Sequence, residues 1–341
     1  MIKKILLFLV IFLCCGCSNK LENRHINILN WSSYIPNEVI LDFEKETGID
    51  VNYGTYSSNE ELLAKVSTAK EGTYDLIFPS DYMVEIMINR NIIDKMDLSK
   101  LRNLNNLDKN FLNKVFDINN NYTIPFIAAS TVIAVNRDVI GGEINSYNDL
   151  LNPKYKNEIV LIDDQRIIIG MALLANGYDM NSIDDYELEV AKNWLLKLKS
   201  NLKAYDSDSP KNFLISQEAS IAVLWNAESA LASMNNQSIE SVFPKEGVAV
   251  SIDNFAILKG AKNIDEIYEF IDYILRDDIM KKIIESYPYK NVNLKTQKLL
   301  RNDYINNKAA NLPNDIFDNG LFVKNIGNNI SKYDRIWAEI K

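Results

Sequence analysis

Hydrophobic and polar positions along this chain follow two rhythms in turn. "INILNW" (26–31) sets Ile26 and Ile28 against Asn27, the period of a strand. "IPNEVILDFEKETG" then shifts to a helical period, with Val39, Ile40 and Phe43 on one face, Pro36 in its first turn and Gly48 at its end. "IDVNYGTY" alternates as a second strand. "NEELLAKVSTAKEG" is an expected helix, capped by Asn59 and ended by Gly72. "YDLIFPS" is a third, largely apolar strand, and "SDYMVEIMINRNII" is helical again. The order β-α-β-α-β predicts a parallel, doubly wound sheet with helices on both faces. Such sheets bind ligands at the carboxyl ends of their strands, where "NWSSY" and "PSDY" fall.

"YTIPFIAASTVIAVNRD" (122–138) carries two apolar runs with no helix between them and predicts an extended crossing between lobes. "EIVLIDDQRIIIGMALLANGYD" (158–179) reads as strand, turn and helix, the start of a second α/β unit. "ELEVAKNWLLKLKS" is an amphipathic helix, and "EASIAVLWNAESALASMNN" is strand, turn and helix once more. "GVAVSIDNFAILKGA" is extended and predicts a return crossing; helices follow at "IDEIYEFIDYILRDDIMKKIIES" and near the C-terminus. Two lobes joined by two or more crossings fit this order better than two domains in series.

Length and charge narrow the function. At 341 residues the chain exceeds one small core, and 47% hydrophobic with 24% charged residues is a globular composition. Its net charge of -9 repels phosphate backbones, so nucleic acid is not an expected partner, whereas a cationic small ligand is compatible. Lys3 and Lys4, the apolar run Ile5 to Leu13 and "CCGC" predict a secretory signal peptide over 1–16. All three cysteines (Cys14, Cys15, Cys17) lie in "CCGC" (14–17), and none follows, which excludes a disulfide framework. Gly16 before Cys17 resembles the lipobox of bacterial lipoproteins, in a relaxed form with Cys14 rather than an aliphatic residue three positions before. That resemblance implies acylation of Cys17 and a lipid-anchored tether over 17–25; the alternative is an ordinary cleaved signal peptide.

The candidate chemistry is acidic and aromatic. His25 is the only histidine and sits in the tether, so histidine triads and histidine-based metal sites are excluded. No GxGxxG, GxxxxGK[ST] or HExxH occurs. Asp163 and Asp164 end a strand on opposite faces, and Asp164 is equally placed to cap the next helix. Trp225 ends an apolar strand, where core packing is the alternative; Glu228 follows at a helix start, where the helix dipole alone would favour it. Asp253 interrupts an apolar run and must be paired or face a wet cleft. Tyr287 and Tyr289 flank Pro288 after a long helix, with loop packing as the alternative. Rings attract cations and carboxylates accept from ammonium groups. Trp31, Tyr34, Tyr82, Trp225 and Tyr287 with Asp164, Glu228 and Asp253 thus describe a receptor for a flexible diamine or triamine, without a nucleophile.

At these residues the chain resembles the periplasmic polyamine-binding proteins, the spermidine/putrescine receptors of bacterial ABC importers. The resemblance runs in order through "NWSSYIP", "FEKETGIDV", "TYSSNEELLAK", "GTYDLIFPSDYMV", "NYTIPFIAASTVIAVN", "YKNEIVLIDDQR", "LWNAESA", "VFPKEG", "NFAILKGAKN", "SYPYKN" and "KYDRIWAEIK". It implies an α/β, two-lobed type II periplasmic-binding-protein fold: two mostly parallel sheets flanked by helices, joined by hinge crossings, closing on a ligand. The lobes are expected over 26–131 plus 251–295 and over 132–250 plus 296–341. It also implies no enzyme activity and no cofactor or metal, with a permease and ATPase as partners and an extracytoplasmic location. Its aromatic box falls on Trp31, Tyr34, Tyr82, Trp225 and Tyr287. Its hydroxyl contacts fall on Ser32, Ser80 and Ser207, and its acids on Asp164 and Asp253. Three positions depart: Ile167 and Ser251 replace an acid and a tryptophan of spermidine receptors, and Val323 replaces a glutamine. Glu228 stands where putrescine receptors carry an acid. Two other readings remain open: a different cationic or amphoteric ligand, if Arg166 faces the cleft, and a carboxylate-based hydrolase using Asp164 and Asp253.

Overall fold

The structure, a computed structural model, describes residues 24–207 and 209–341. The expected signal peptide, Cys17 and most of the tether lie outside the described residues. Among the described residues no helix is long and apolar enough to cross a membrane.

The first lobe opens with β1 (His25–Trp31), α1 (Asn37–Thr47), β2 (Asp50–Tyr56), α2 (Asn59–Thr68), β3 (Leu76–Ile77) and α3 (Asp81–Asn89). β1 pairs parallel with both β2 and β3, as the β-α-β order requires. α1 buries Val39, Ile40 and Phe43, and stops where Gly48 takes a left-handed φ of 68° that a side chain would resist. Pro36 precedes this helix as its N-cap rather than standing in its first turn. The cap of α2 is Ser58, whose hydroxyl accepts from the Glu61 N–H; Asn59 is instead turned inward to Ser80. The helix ends at Thr68, short of Gly72.

β4 (Thr123–Asn136) is one buried strand of 14 residues and serves both lobes. Its first part, Thr123–Ser130, pairs antiparallel with β9 (Ala249–Ile257). Its second part pairs with β7 (Ile221–Trp225) and β8 (Ile239–Val242). The second lobe adds β5 (Ile159–Leu161), α4 (Gln165–Ala175), α5 (Asp185–Leu198), β6 (Leu202–Tyr205), α6 (Pro210–Ile215) and α7 (Asn226–Asn235). β5 lies parallel between β7 and β6. The strand order is therefore β2-β1-β3-β9-β4-β7-β5-β6. Each lobe has a parallel half, and the two antiparallel crossings β4 and β9 run where the lobes meet.

α8 (Ile264–Ile274) and α9 (Asp277–Ser286) return to the first lobe, followed by β10 (Lys290–Asn291), α10 (Leu294–Gln297), α11 (Asn302–Asn306) and α12 (Asn314–Asp318). The stretch 296–318, expected in the second lobe, packs on the first. α10 lies against α9, Lys290 donates to the Leu312 carbonyl, and the rings of Phe317 and Phe111 are 5.3 Å apart. Only β11 (Leu321–Phe322), on the edge of β9, and α13 (Ile330–Ile340), on α4 and α5, carry the chain across. Under the crossings Phe78, Phe126 and Phe255 form a buried triad with centroids 5.0–5.3 Å apart. Aromatic pairs of this kind contribute roughly 0.5–1.5 kcal/mol each beyond burial, and these stiffen the floor of the cleft.

Candidate ligand-binding cleft

A cavity lies between the lobes at the carboxyl ends of the parallel strands. Its first-lobe wall begins where β1 stops. Trp31 donates its indole N–H to the Phe78 carbonyl at 2.9 Å, and its ring lies 4.6 Å from Tyr56 and 6.0 Å from Tyr34. Tyr56 donates to the same carbonyl, so the strand end of β3 anchors two rings. Tyr34 is buried, its ring lies tilted with its centroid 4.8 Å from that of Tyr289, and it donates its hydroxyl to Asp253 Oδ2 at 2.7 Å. Ser80 donates to the other oxygen of Asp253 at 2.6 Å and accepts from Asn59 at 3.1 Å. Asp253 is thus paired, as an acid inside an apolar strand must be. Burial pushes its carboxyl up to about 6 against the opposing effect of these two hydrogen bonds. Burial and the Asp253 charge in turn push the Tyr34 phenol well up.

Tyr82 stands on the first turn of α3 and donates its hydroxyl to Glu60 at 3.0 Å. The second-lobe wall carries Asp164, Arg166, Ile167, Ser207 and Trp225. Asp164 caps α4, accepting from the N–H groups of Arg166 and Ile167 at 2.9 and 3.1 Å, and also lines the cavity. Burial raises its carboxyl. Asp163 is exposed and paired with Lys341; both acids lie beyond the end of β5, and the turn into α4 rather than strand alternation separates them. Ser207 accepts from the Asp163 N–H at 2.9 Å. The three departing positions, Ile167, Ser251 and Val323, all line the cavity.

Nine expected residues therefore come together: Trp31, Ser32, Tyr34, Ser80, Tyr82, Asp164, Ser207, Trp225 and Asp253. Two do not. Glu228 lies behind the wall, with Lys211 donating to both carboxylate oxygens at 2.8 and 2.9 Å. Tyr287 is half-buried outside the cavity, and Tyr289 lines it instead. The Tyr289 N–H donates to the Tyr287 carbonyl, a three-residue turn about Pro288. Sequence reasoning also missed Asp81, which is 3% exposed and lines the cavity between Ser80 and Tyr82. Its place in "PSDY", between two selected residues, was the available signal. Arg166 does line the cavity; its Nη2 donates to Asn181 and to the Lys324 carbonyl, and its plane lies 5.0 Å from the Tyr333 ring. Among the described residues no cluster of histidine, cysteine and acids is arranged to hold a metal ion.

Similarity to known proteins agrees with this architecture. The family model of bacterial extracellular solute-binding proteins matches residues 72–319. The spermidine/putrescine-binding periplasmic protein of Escherichia coli (strain K12) is 38% identical over 321 residues, covering 94% of this chain and 92% of that protein. The chain belongs to this family of solute-binding proteins. As such it binds a solute and is not an enzyme, which removes the hydrolase reading. A solved structure from Listeria monocytogenes, provisionally described as a spermidine/putrescine ABC transporter, superposes on this solute-binding protein with a TM-score of 0.89. It is 32% identical, with 93% of this chain and 98% of that one covered. The Tp0655 (TpPotD) lipoprotein of Treponema pallidum is 25% identical, with a TM-score of 0.83 and coverage of 93% and 99%.

Proposed function

We propose that this solute-binding protein captures a polyamine, putrescine or spermidine, between its lobes and hands it to the permease and ATPase of an ABC importer. It does so outside the cytoplasm, held to a membrane only by lipid on Cys17. The observation that carries the reading is Asp253: a buried carboxylate held by Tyr34 and Ser80 at the floor of an aromatic-walled cleft. One ligand ammonium meets Asp253, a second meets Asp164, and the methylenes between them lie on Trp31, Tyr34, Tyr82, Trp225 and Tyr289. Each ring contributes roughly 0.5–2 kcal/mol to a desolvated cation. Ser32, Ser80 and Ser207 supply polar contacts, while Glu228 and Tyr287 act indirectly from behind the wall. Names of the relatives above support the ligand class, and the Treponema lipoprotein supports the anchor.

Ile167 and Val323 face the cavity as apolar groups, so a third ammonium gains no carboxylate there. Putrescine therefore binds at least as tightly as spermidine. Native mass spectrometry of the protein as purified tests the reading: the expected mass increment matches putrescine or spermidine. No increment, followed by no uptake of either added amine, rejects it.

One observation favours a second reading. Arg166 is buried, lines the cleft, and its Nε has no hydrogen-bond partner among the described residues. An amphoteric ligand, amine at one end and carboxylate at the other, would use it. Competition by a simple ω-amino acid against putrescine distinguishes the two.

A further inference from the structure

Asp81 has no part in the reading above, yet it is the most enclosed acid of the cleft after Asp253. Two dipeptides place it. Ser80 and Asp253 form an antiparallel bridge, and their neighbours complete a reciprocal clasp. Ser80 Oγ donates to Asp253 Oδ1 at 2.6 Å, and the Ile252 N–H donates to Asp81 Oδ2 at 2.8 Å. The Tyr82 N–H holds the other oxygen of Asp81 at 2.7 Å. Two buried carboxyls from different elements thereby line one cavity, near enough for the Asp253 charge to act on Asp81.

We propose that Asp81 and Asp253 form one carboxyl pair that seats a ligand ammonium, and that the ammonium displaces a proton from it. The proposal rests on the amine-ligand reading. Two buried carboxylates without a cation between them repel, so the empty pair retains a proton; an ammonium supplies the missing positive charge and lets both ionise. Burial first, and then the Asp253 charge, push Asp81 up to about 7, while Asp253 stands at about 6.

The nearest titratable neighbours of the pair are phenols. Tyr34, Tyr56 and Tyr289 face Asp253 from the end of β1, β2 and the turn after α9, and burial keeps all three phenols protonated. Tyr82, beside Asp81 on α3, is likewise raised by burial. The other charged groups lining the cavity are Asp164 and Arg166 on the second lobe. Among the described lining residues there is no lysine or histidine.

Isothermal titration of the whole protein with putrescine, in phosphate and in Tris at the same pH, reads the proton directly. The expected result at pH 7 is release of about half a proton per ligand, with binding about tenfold tighter at pH 8 than at pH 6. Asp81→Asn removes the member of the pair that is raised furthest and so loses most of the release; Asp163→Asn, at an exposed acid paired with Lys341 outside the cavity, keeps it. Should one of these variants fold poorly, the buffer dependence of the unaltered protein still decides. Binding with equal heats in both buffers, or full release by Asp81→Asn, overturns the pair alone. No binding of putrescine or spermidine at all removes the underlying reading and the pair with it.

Discussion

Asp253 holds its place through two hydroxyl donors, Tyr34 and Ser80, and both belong to segments that end at the cleft. Its charge should therefore matter more than its bulk. Asp253→Asn keeps the shape and removes the charge; the expected loss is about 1.5–3 kcal/mol, or about 10- to 100-fold in polyamine affinity by calorimetry. An unchanged affinity would reject this residue as the ammonium partner. Stability has the opposite dependence on pH from binding. Asp81 is raised in the folded protein from an ordinary 3.8 to about 7, and Asp253 to about 6. The folded chain thus holds these protons more tightly than the unfolded one. Their contribution to stability is fully present below about pH 4 and is lost as the pH rises to about 7. Urea midpoints of ligand-free protein between pH 5 and 8 should fall on this account, and Asp81→Asn should flatten the fall. Trp31, Tyr34 and Tyr82 were legible in the sequence because each stands where an alternating or apolar run stops, at the functional edge of a parallel sheet. Asp81 was not: it looks like any acid in a helix's first turn, which the dipole favours without a ligand. Only the pairing of β3 with β9, distant in sequence, sets it beside Asp253.

At the scale of elements, Asp164 does two jobs that can be separated. As the cap of α4 it accepts from two backbone N–H groups, and as a carboxylate it faces the cavity. Asp164→Ser keeps a capping oxygen and removes the charge. Its melting temperature should stay near that of the parent while polyamine affinity falls about 10-fold or more. Asp164→Ala should lose about 1 kcal/mol of stability as well. Equal binding by the serine variant would assign Asp164 to the helix alone. Helix and strand identities followed from periodicity, since each buries one face or alternates. The finer assignments needed packing. Glu228 reads as a free acid at a helix start, but α6 sets against α7 and brings Lys211 onto it. Tyr287 and Tyr289 are indistinguishable in "SYPYK" until the turn about Pro288 sends one ring to Tyr34. Asn59 reads as a cap, but Ser58 takes that role and leaves the Asn59 amide for Ser80.

In the whole molecule, β4 is shared by both sheets, and β9 runs beside it before the chain leaves for the C-terminal elements. The two strands run side by side at the lobe boundary. The two-lobed order was legible because β4 is too long and too apolar for one small sheet. The path after residue 295 was not, because 296–318 is a set of short helices whose weak periodicity does not show which lobe they cover. Ligand that bridges Asp253 on one side and Asp164 on the other should draw the lobes together. Small-angle scattering should show a smaller radius of gyration on adding putrescine, and no change would contradict closure. On the proposed reading the cleft recognises an amine at both ends. Calorimetric titration of ligand-stripped protein with putrescine and with butylamine, its single-ended counterpart, tests this most directly. Putrescine should bind tightly and one-to-one, and butylamine at least about 100-fold more weakly, through the loss of one charge-assisted contact and its closure. Equal binding of the two amines, or binding of neither, would contradict it.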